Sequence, residues 1–296
     1  MHPTAQRPPR PGVSSYDPAR NTAGALPAEL ARLEAQAALT FPEELRLLRD
    51  LGLTEIMAGR ARRPVLLEVG AGTGALTRRL VAALPGAAVI ALDADATLLA
   101  HLPGGHLPGG DMPRPVCADA YALPLADGSA DAIVFRYVLQ HLTDPRPVLL
   151  EARRVLRPGG RVYVIDVDGG LWGLAEPADP ALASVYTRAA AAQRDAGGDR
   201  LVGRKLSALL RAAGFQDVAV RPFAVTSDDH PVDDFAPHLG PGRLVPLVET
   251  GTLSLADLAL ATAGWARFRA NPDAWVMLLG LLGAGQAPPG RTSPAS

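Results

Sequence analysis

The segment VLLEVGAGTG at residues 65–74 sets a carboxylate, Glu68, two residues before a turn with glycine at 70, 72 and 74. Glycine reaches positive φ without steric cost and lets the backbone approach a ligand closely, so Gly70, Ala71 and Gly72 suit a nucleotide-type cofactor at a strand's C-terminal end. With Ala75 the glycines also satisfy the GxGxxA form of the dinucleotide fingerprint, so they do not exclude NAD. Asp93, closing ALD, is placed to accept hydrogen bonds from a ribose diol, which serves either kind of cofactor. Glu68 discriminates between them. A dinucleotide would lay its anionic pyrophosphate beside this carboxylate at an electrostatic cost, whereas a ligand carrying ammonium and sulfonium groups is attracted. Asp119, in CADAYALPLADGSADAIVF, is in position for an adenine amino group, with the Ala120 N–H directed to the ring. His141, after the following strand, is a candidate catalytic base for an oxygen or nitrogen nucleophile, and reads equally as a helix-start or packing residue. Tyr16 with Asp17, and Arg32 with Gln36, are candidates to close over a cofactor or bind its carboxylate; a frayed arm and a solvated helix face are the bland alternatives.

These residues need strands and helices in alternation to bring them together. Residues 65–69 form a short apolar run broken by one acid, followed by the glycines and LTRRLVAAL with helical periodicity. AAVIALD, VCADA, AIVFRYVLQHL and RVYVIDVD read as further strands with helices between them, which implies parallel order and right-handed crossovers. The cofactor core therefore spans 64–168, with Arg157-Pro158-Gly159-Gly160 stopping the helix before the fifth strand. Two helices are expected over 27–53, with Phe41-Pro42 ending one and starting the other. Beyond the core, 171–199 reads as a helical cap, DVAVRPFAVTS as a sixth strand, 231–272 as a helical insertion, and 275–282 as a seventh strand or a buried helix. Residues 1–24 and 286–296 have the composition of disordered termini around a domain at 25–285. The tandem HLPGG at His101 and His106 reads as a duplicated surface loop rather than a metal site.

Composition narrows the partners. Nearly half of the 296 residues are hydrophobic, enough for a substantial core, and a net charge of −1 gives no global field for nucleic acid or an anionic membrane. A small-molecule substrate is the default. The single cysteine, Cys117, excludes an intrachain disulfide and a cysteine-based zinc site; it is expected to be a buried inert thiol, and its isolation fits a cytoplasmic setting. No stretch reaches the roughly 20 apolar residues of a membrane span.

In order, EVGAGTG, ALDAD, ADAYALPLADGSADAIVFRYVLQHL and LRPGG resemble the successive motifs of the class I S-adenosylmethionine-dependent methyltransferase superfamily, in the branch of small-molecule methyltransferases of the ubiquinone-biosynthesis type. The resemblance covers about residues 27–226. It implies an α/β fold, three-layer and doubly wound, with a seven-stranded mostly parallel sheet whose last strand is antiparallel, here with N-terminal helices and a helical cap and insertion added. It implies S-adenosylmethionine as cofactor: Glu68, Gly70, Ala71 and Gly72 around the methionine part, Asp93 and Ala94 at the ribose, Asp119 and Ala120 at the adenine, and Arg136 near the sulfonium through its backbone. The insertion before the seventh strand departs from the family's compact hairpin, and is expected to cover the substrate pocket or to form a contact in a homodimer. A nicotinamide-dependent oxidoreductase would need a catalytic acid such as a Tyr/Lys pair, and the sole lysine, Lys205, lies outside a YxxxK pattern. A cofactor-binding module without catalysis is the reading from a different class.

Overall fold

The computed structural model describes residues 26–58, 62–102, 112–171 and 173–289. Expectations for the 1–24 arm with Tyr16 and Asp17, for His106, and for 290–296 lie outside them. The alternation read from sequence builds the core: β1 (Val65–Val69), α3 (Ala75–Ala83), β2 (Ala88–Asp93), α4 (Ala96–Leu99), β3 (Arg114–Cys117), β4 (Ala130–Arg136), α5 (Arg146–Val155) and β5 (Leu156–Val167), preceded by α1 (Leu26–Asp50) and α2 (Leu53–Met57). After it come β6 (Leu174–Glu176), α6 (Pro180–Asp195), α7 (Leu206–Ala212), β7 (Gln216–Thr226), α8 (Ala236–Leu239), α9 (Val245–Glu249), α10 (Leu255–Ala270) and β8 (Trp275–Gln286).

The sheet order is β3-β2-β1-β4-β5-β8, the first five strands parallel and β8 antiparallel, with β7 along the other edge of β8. This is the expected mostly parallel sheet with an antiparallel last strand, which lies between β5 and β7, but it has eight strands rather than seven. The short β6, which the sequence did not announce, pairs with residues 275–277 of β8, while β5 takes 280–286. Side chains alternate across the sheet, as strand geometry requires. Leu67, Val69, Ile133 and Phe135 join α5 and α7 in one core, whereas Leu66, Ala132 and Val134 pack with Leu48 of α1 and Leu80 of α3 in the other. Removing a Leu, Ile, Val or Phe side chain from water contributes roughly 1.5–3 kcal/mol, and because both faces of β1 and β4 are covered their sequences are near-continuous hydrophobic runs. That alternation also puts Glu68 and Arg136 on the α1/α3 face, on neighbouring strands, since Glu68 is in register with Val134.

Two expectations need correction. Pro42 does not divide the N-terminal segment: α1 is one helix through it. Proline withholds a single N–H, and the buried stripe of Ala37, Thr40, Glu44, Leu47 and Leu48 on both sides of it holds the helix to the sheet. Cys117 is exposed rather than buried, because β3 is the edge strand and its last residue has a neighbour on one side only. The thiol is therefore expected to react with Ellman's reagent in the folded protein, with one equivalent released before any denaturant is added. No helix among the described residues is long and apolar enough to cross a membrane.

The cap is α6 packed on α10. Asp179 caps α6 by accepting from the Leu182 N–H, and Ser254 with Asp257 forms a capping box on α10. The same two acids reach across, Asp179 to Arg267 and Asp257 to Arg188, and so join the two helices over the C-terminal ends of the strands.

Candidate active site

The turn after β1 is fastened to β2 before any ligand is considered. Gly70 and Ala71 both donate to the Leu92 carbonyl, at 2.8 and 2.9 Å, and the Gly72 N–H donates to Asp93 Oδ2 at 2.7 Å. Asp93 Oδ1 also accepts the Asp95 N–H at 2.9 Å, and burial raises this carboxyl above its ordinary range. Asp93 thus shapes the turn as well as facing the cavity, and these backbone bonds do not exhaust the roughly four acceptor sites of a carboxylate. Gly70 and Gly72 both have positive φ, +75° and +55°, for different uses. A Cβ on Gly70 would lie 2.3 Å from Val138 Cγ2, whereas one on Gly72 would meet nothing within 4 Å. Gly70→Ala is therefore expected to cost about 2–4 kcal/mol in chemical denaturation, from left-handed strain plus overpacking, against about 1 kcal/mol for Gly72→Ala, whose added methyl fills ligand space instead.

Glu68 is 2% exposed and accepts a 2.5 Å hydrogen bond from the Thr77 hydroxyl of α3. Burial pushes its carboxyl up to about 8, against the opposing pulls of that hydrogen bond and of the Arg136 charge. Arg136 closes a buried polar cluster: its Nε lies 2.9 Å from Glu44 Oε2, its Nη2 donates to Thr40 at 2.9 Å, and its guanidinium stands 4.5 Å over the Tyr137 ring. Burial works against that charge, and Glu44, Tyr137 and Glu68 together more than offset it, raising Arg136. Glu44 and Thr40 escaped the sequence reading, although a signal exists: they interrupt the apolar stripe of α1 at helical spacing.

Asp119 follows β3, exposed, with Oδ1 accepting the Tyr121 N–H at 2.9 Å, while the Ala118 N–H donates to the Asp93 carbonyl. Arg32 and Gln36 are not on a solvated face. Both are half-buried, both reach the Pro237 carbonyl, and Arg32 is paired with Glu29. His141 ends a 3-10 turn after β4, with Nδ1 3.3 Å from Gln193 Nε2 of α6. Burial, then the charges of Arg200 and Arg243, push its imidazole down to about 3. The ring is consequently neutral at physiological pH yet a weak proton acceptor, since a base works best with a pKa near the operating pH. The His141 ring resonances are expected to show no titration between pH 5 and 8 by NMR.

One cavity of about 1460 Å³ brings together Glu68, Gly70, Ala71, Gly72, Asp93, Ala94, Asp119, Ala120, Arg136 and His141. Its far wall is made of residues that sequence reasoning missed, among them Tyr186, Gln193, Arg243, Trp265 and Phe268 from the cap and the insertion, and Arg200 just after the cap. The insertion therefore covers the cavity. Tyr186 with Gln193 and Trp265 with Phe268 share α6 and α10, but no local spacing announces the wall as a whole, because those helices, Arg200 and Arg243 are separate in sequence.

Comparison with known proteins agrees with this arrangement. A methyltransferase-domain family matches residues 67–164, the stretch from Leu67 through most of β5. The malonyl-[acyl-carrier protein] O-methyltransferase of Hahella chejuensis is 32% identical over 135 residues, 45% of this chain and 48% of that protein. The ubiquinone/menaquinone biosynthesis C-methyltransferase UbiE of Paracoccus denitrificans is 38% identical over 103 residues, 34% of this chain and 41% of that protein. The chain thus spans less than half the length of these curated relatives. A putative methyltransferase from an antibiotic biosynthesis pathway of Anabaena variabilis shares the fold, with a TM-score of 0.52 and 17% identity over 78% of this chain and 96% of that one. The ordered motifs lie inside the matched stretch, so residues 67–164 carry a methyltransferase domain whose motifs resemble those of the class I, S-adenosylmethionine-dependent superfamily.

Proposed function

We propose that this chain transfers a methyl group from S-adenosylmethionine to a small-molecule acceptor. The observation that carries the reading is that the glycine turn and three acids at the strand ends share one cavity with the cap. At about 1460 Å³ that cavity exceeds the roughly 300–1,000 Å³ of a single small-molecule site, which leaves room for cofactor and acceptor side by side. The residues fit the cofactor: Gly72 offers an open approach to backbone, and Glu68 offers a buried carboxylate to a cation.

In this reading Glu68, Gly70, Ala71 and Gly72 hold the methionine part, Asp93 and Ala94 the ribose, Asp119 and Ala120 the adenine, and the Arg136 backbone lies near the sulfonium. When bound, the cofactor supplies an activated methyl group open to in-line attack, so no covalent enzyme intermediate is required. The chain's own task is positional. The strand ends fix the donor, α6 and α10 exclude water, and His141, held by Gln193, orients the acceptor as a neutral hydrogen-bonding group rather than as a strong base. The lone cysteine supports a reducing, cytoplasmic setting.

Isothermal titration with S-adenosylmethionine, S-adenosylhomocysteine and NAD tests the donor, and transfer of a tritiated methyl group across a metabolite panel tests the reaction. Binding of the first two but not NAD, with label appearing in at least one acceptor, is the expected result. NAD binding with no response to the others would sink the proposal.

A further inference from the structure

At the strand ends Glu68, Asp93 and Asp119 line the cavity beside Arg136; on the cap side Asp179 is paired with Arg267, whereas Arg200 and Arg243 form no ion pair with a carboxylate among the described residues. Arg200 donates through Nη1 to Gln193 Oε1 at 3.3 Å. Arg243 donates through Nη1 to the His238 carbonyl at 2.7 Å, and its guanidinium stands 5.5 Å over the Tyr186 ring. A guanidinium carries five N–H donors, so most of each fork is left for a ligand in the cavity. The nearby acids are engaged elsewhere: Glu29 pairs with Arg32, and Asp166 accepts the Val167 and Gln140 N–H groups. Burial, then the Arg243 charge, pushes Arg200 down to about 9, and burial lowers Arg243 as well. Holding two such charges without counter-ions costs stability unless something anionic arrives.

We propose that Arg200 and Arg243 form the subsite for an anionic group, a carboxylate or a phosphate, on the methyl acceptor. Gln193 joins this subsite to the strand ends, because it contacts both Arg200 and His141. Around it Leu182, Leu244, Trp265 and Phe268 supply apolar wall, so the acceptor is an acid with an apolar body. Calling the ligand an acceptor rests on the methyl-transfer reading, whereas the anion site itself is tested separately.

Benzoate, phenyl phosphate and neutral benzamide are titrated into the full chain saturated with S-adenosylhomocysteine, by calorimetry and by thermal melting. Benzoate or phenyl phosphate is expected to bind and raise the melting temperature, the stronger of the two naming the anion, while benzamide does neither. Arg200→Gln and Arg243→Gln are each expected to weaken that binding roughly thirty-fold or more, to leave S-adenosylhomocysteine affinity unchanged, and to melt no lower than the parent without ligand. Equal response to benzamide, parent-like anion affinity in both variants, or a variant that fails to fold would overturn the subsite. Loss of S-adenosylhomocysteine affinity in the variants would also overturn it, by giving the arginines to the cofactor's own carboxylate. If S-adenosylhomocysteine does not bind the parent at all, the methyl-donor reading fails, and the anion titration on the chain alone still decides the subsite.

Discussion

Glu44→Gln is expected to lower the melting temperature by roughly 6–20 °C. Glu44 is fully buried, and the Arg136 side chain it pairs with is 10% exposed. Removing one partner of such a pair strands the other charge, at about 3–5 kcal/mol, and each kcal/mol moves the midpoint of a domain this large by about 2–4 °C. Glutamine keeps the shape and one acceptor for Thr40 and Arg136, so the loss reports charge rather than volume. Arg136→Met in the same background is expected to restore most of the stability, since an apolar replacement of a whole buried pair is often neutral. Urea denaturation of both single variants and the double variant measures this, and a Glu44→Gln loss below about 1 kcal/mol would mean that the pair does not hold α1 to β4. A second consequence reaches the site: without Glu44, Arg136 has Glu68 as its remaining neighbouring carboxylate, so S-adenosylmethionine affinity is expected to fall with stability.

The cofactor half of the cavity was legible because its chemistry is local. A carboxylate two residues before a glycine turn, and acids closing the next strands, are visible in a linear string once strands alternate with helices. The acceptor half is not local. Tyr186 and Gln193 share α6, but Arg200 and Arg243 lie on separate segments, and only packing of α6 and the insertion over the strand ends brings all four to one wall. β8 is ambiguous for a different reason: a short apolar run does not separate a buried strand from a helix, and pairing with β5 and β7 decides it; a Cβ at Gly280 would sit 2.1 Å from Phe223 Cζ, so contact with β7 dictates that glycine. The errors follow the same division. Pro42 as a helix break and Cys117 as a buried thiol were local inferences overruled by the packing of α1 and by the position of β3 at the sheet edge.

The affinity for S-adenosylmethionine is expected to climb with pH, by up to about tenfold per unit between pH 6 and 8, and Glu68→Gln is expected to flatten most of that climb. Burial holds Glu68 near 8, so in the protein alone it is largely protonated at pH 7. Only its charged form attracts a cation, so binding must expel a proton, and each unit of pH below 8 then costs about 1.4 kcal/mol of affinity. Calorimetry in two buffers of different ionisation enthalpy counts that proton: close to one released at pH 7 in the parent and far fewer in Glu68→Gln. Folding supplies the opposite control. An unfolded glutamate ionises near 4.5, so between 4.5 and 8 the native state keeps a proton that the unfolded chain has lost, and stability falls as pH rises through that window. Glutamine cannot ionise, and at pH 8 the variant without ligand is expected to be more stable by about 1–3 kcal/mol while binding S-adenosylmethionine more weakly. Asp93, whose carboxyl burial also raises, is unchanged in the variant. A variant that loses stability and affinity together would make Glu68 a strut for Thr77 and α3 rather than the group that receives the cofactor's positive charge.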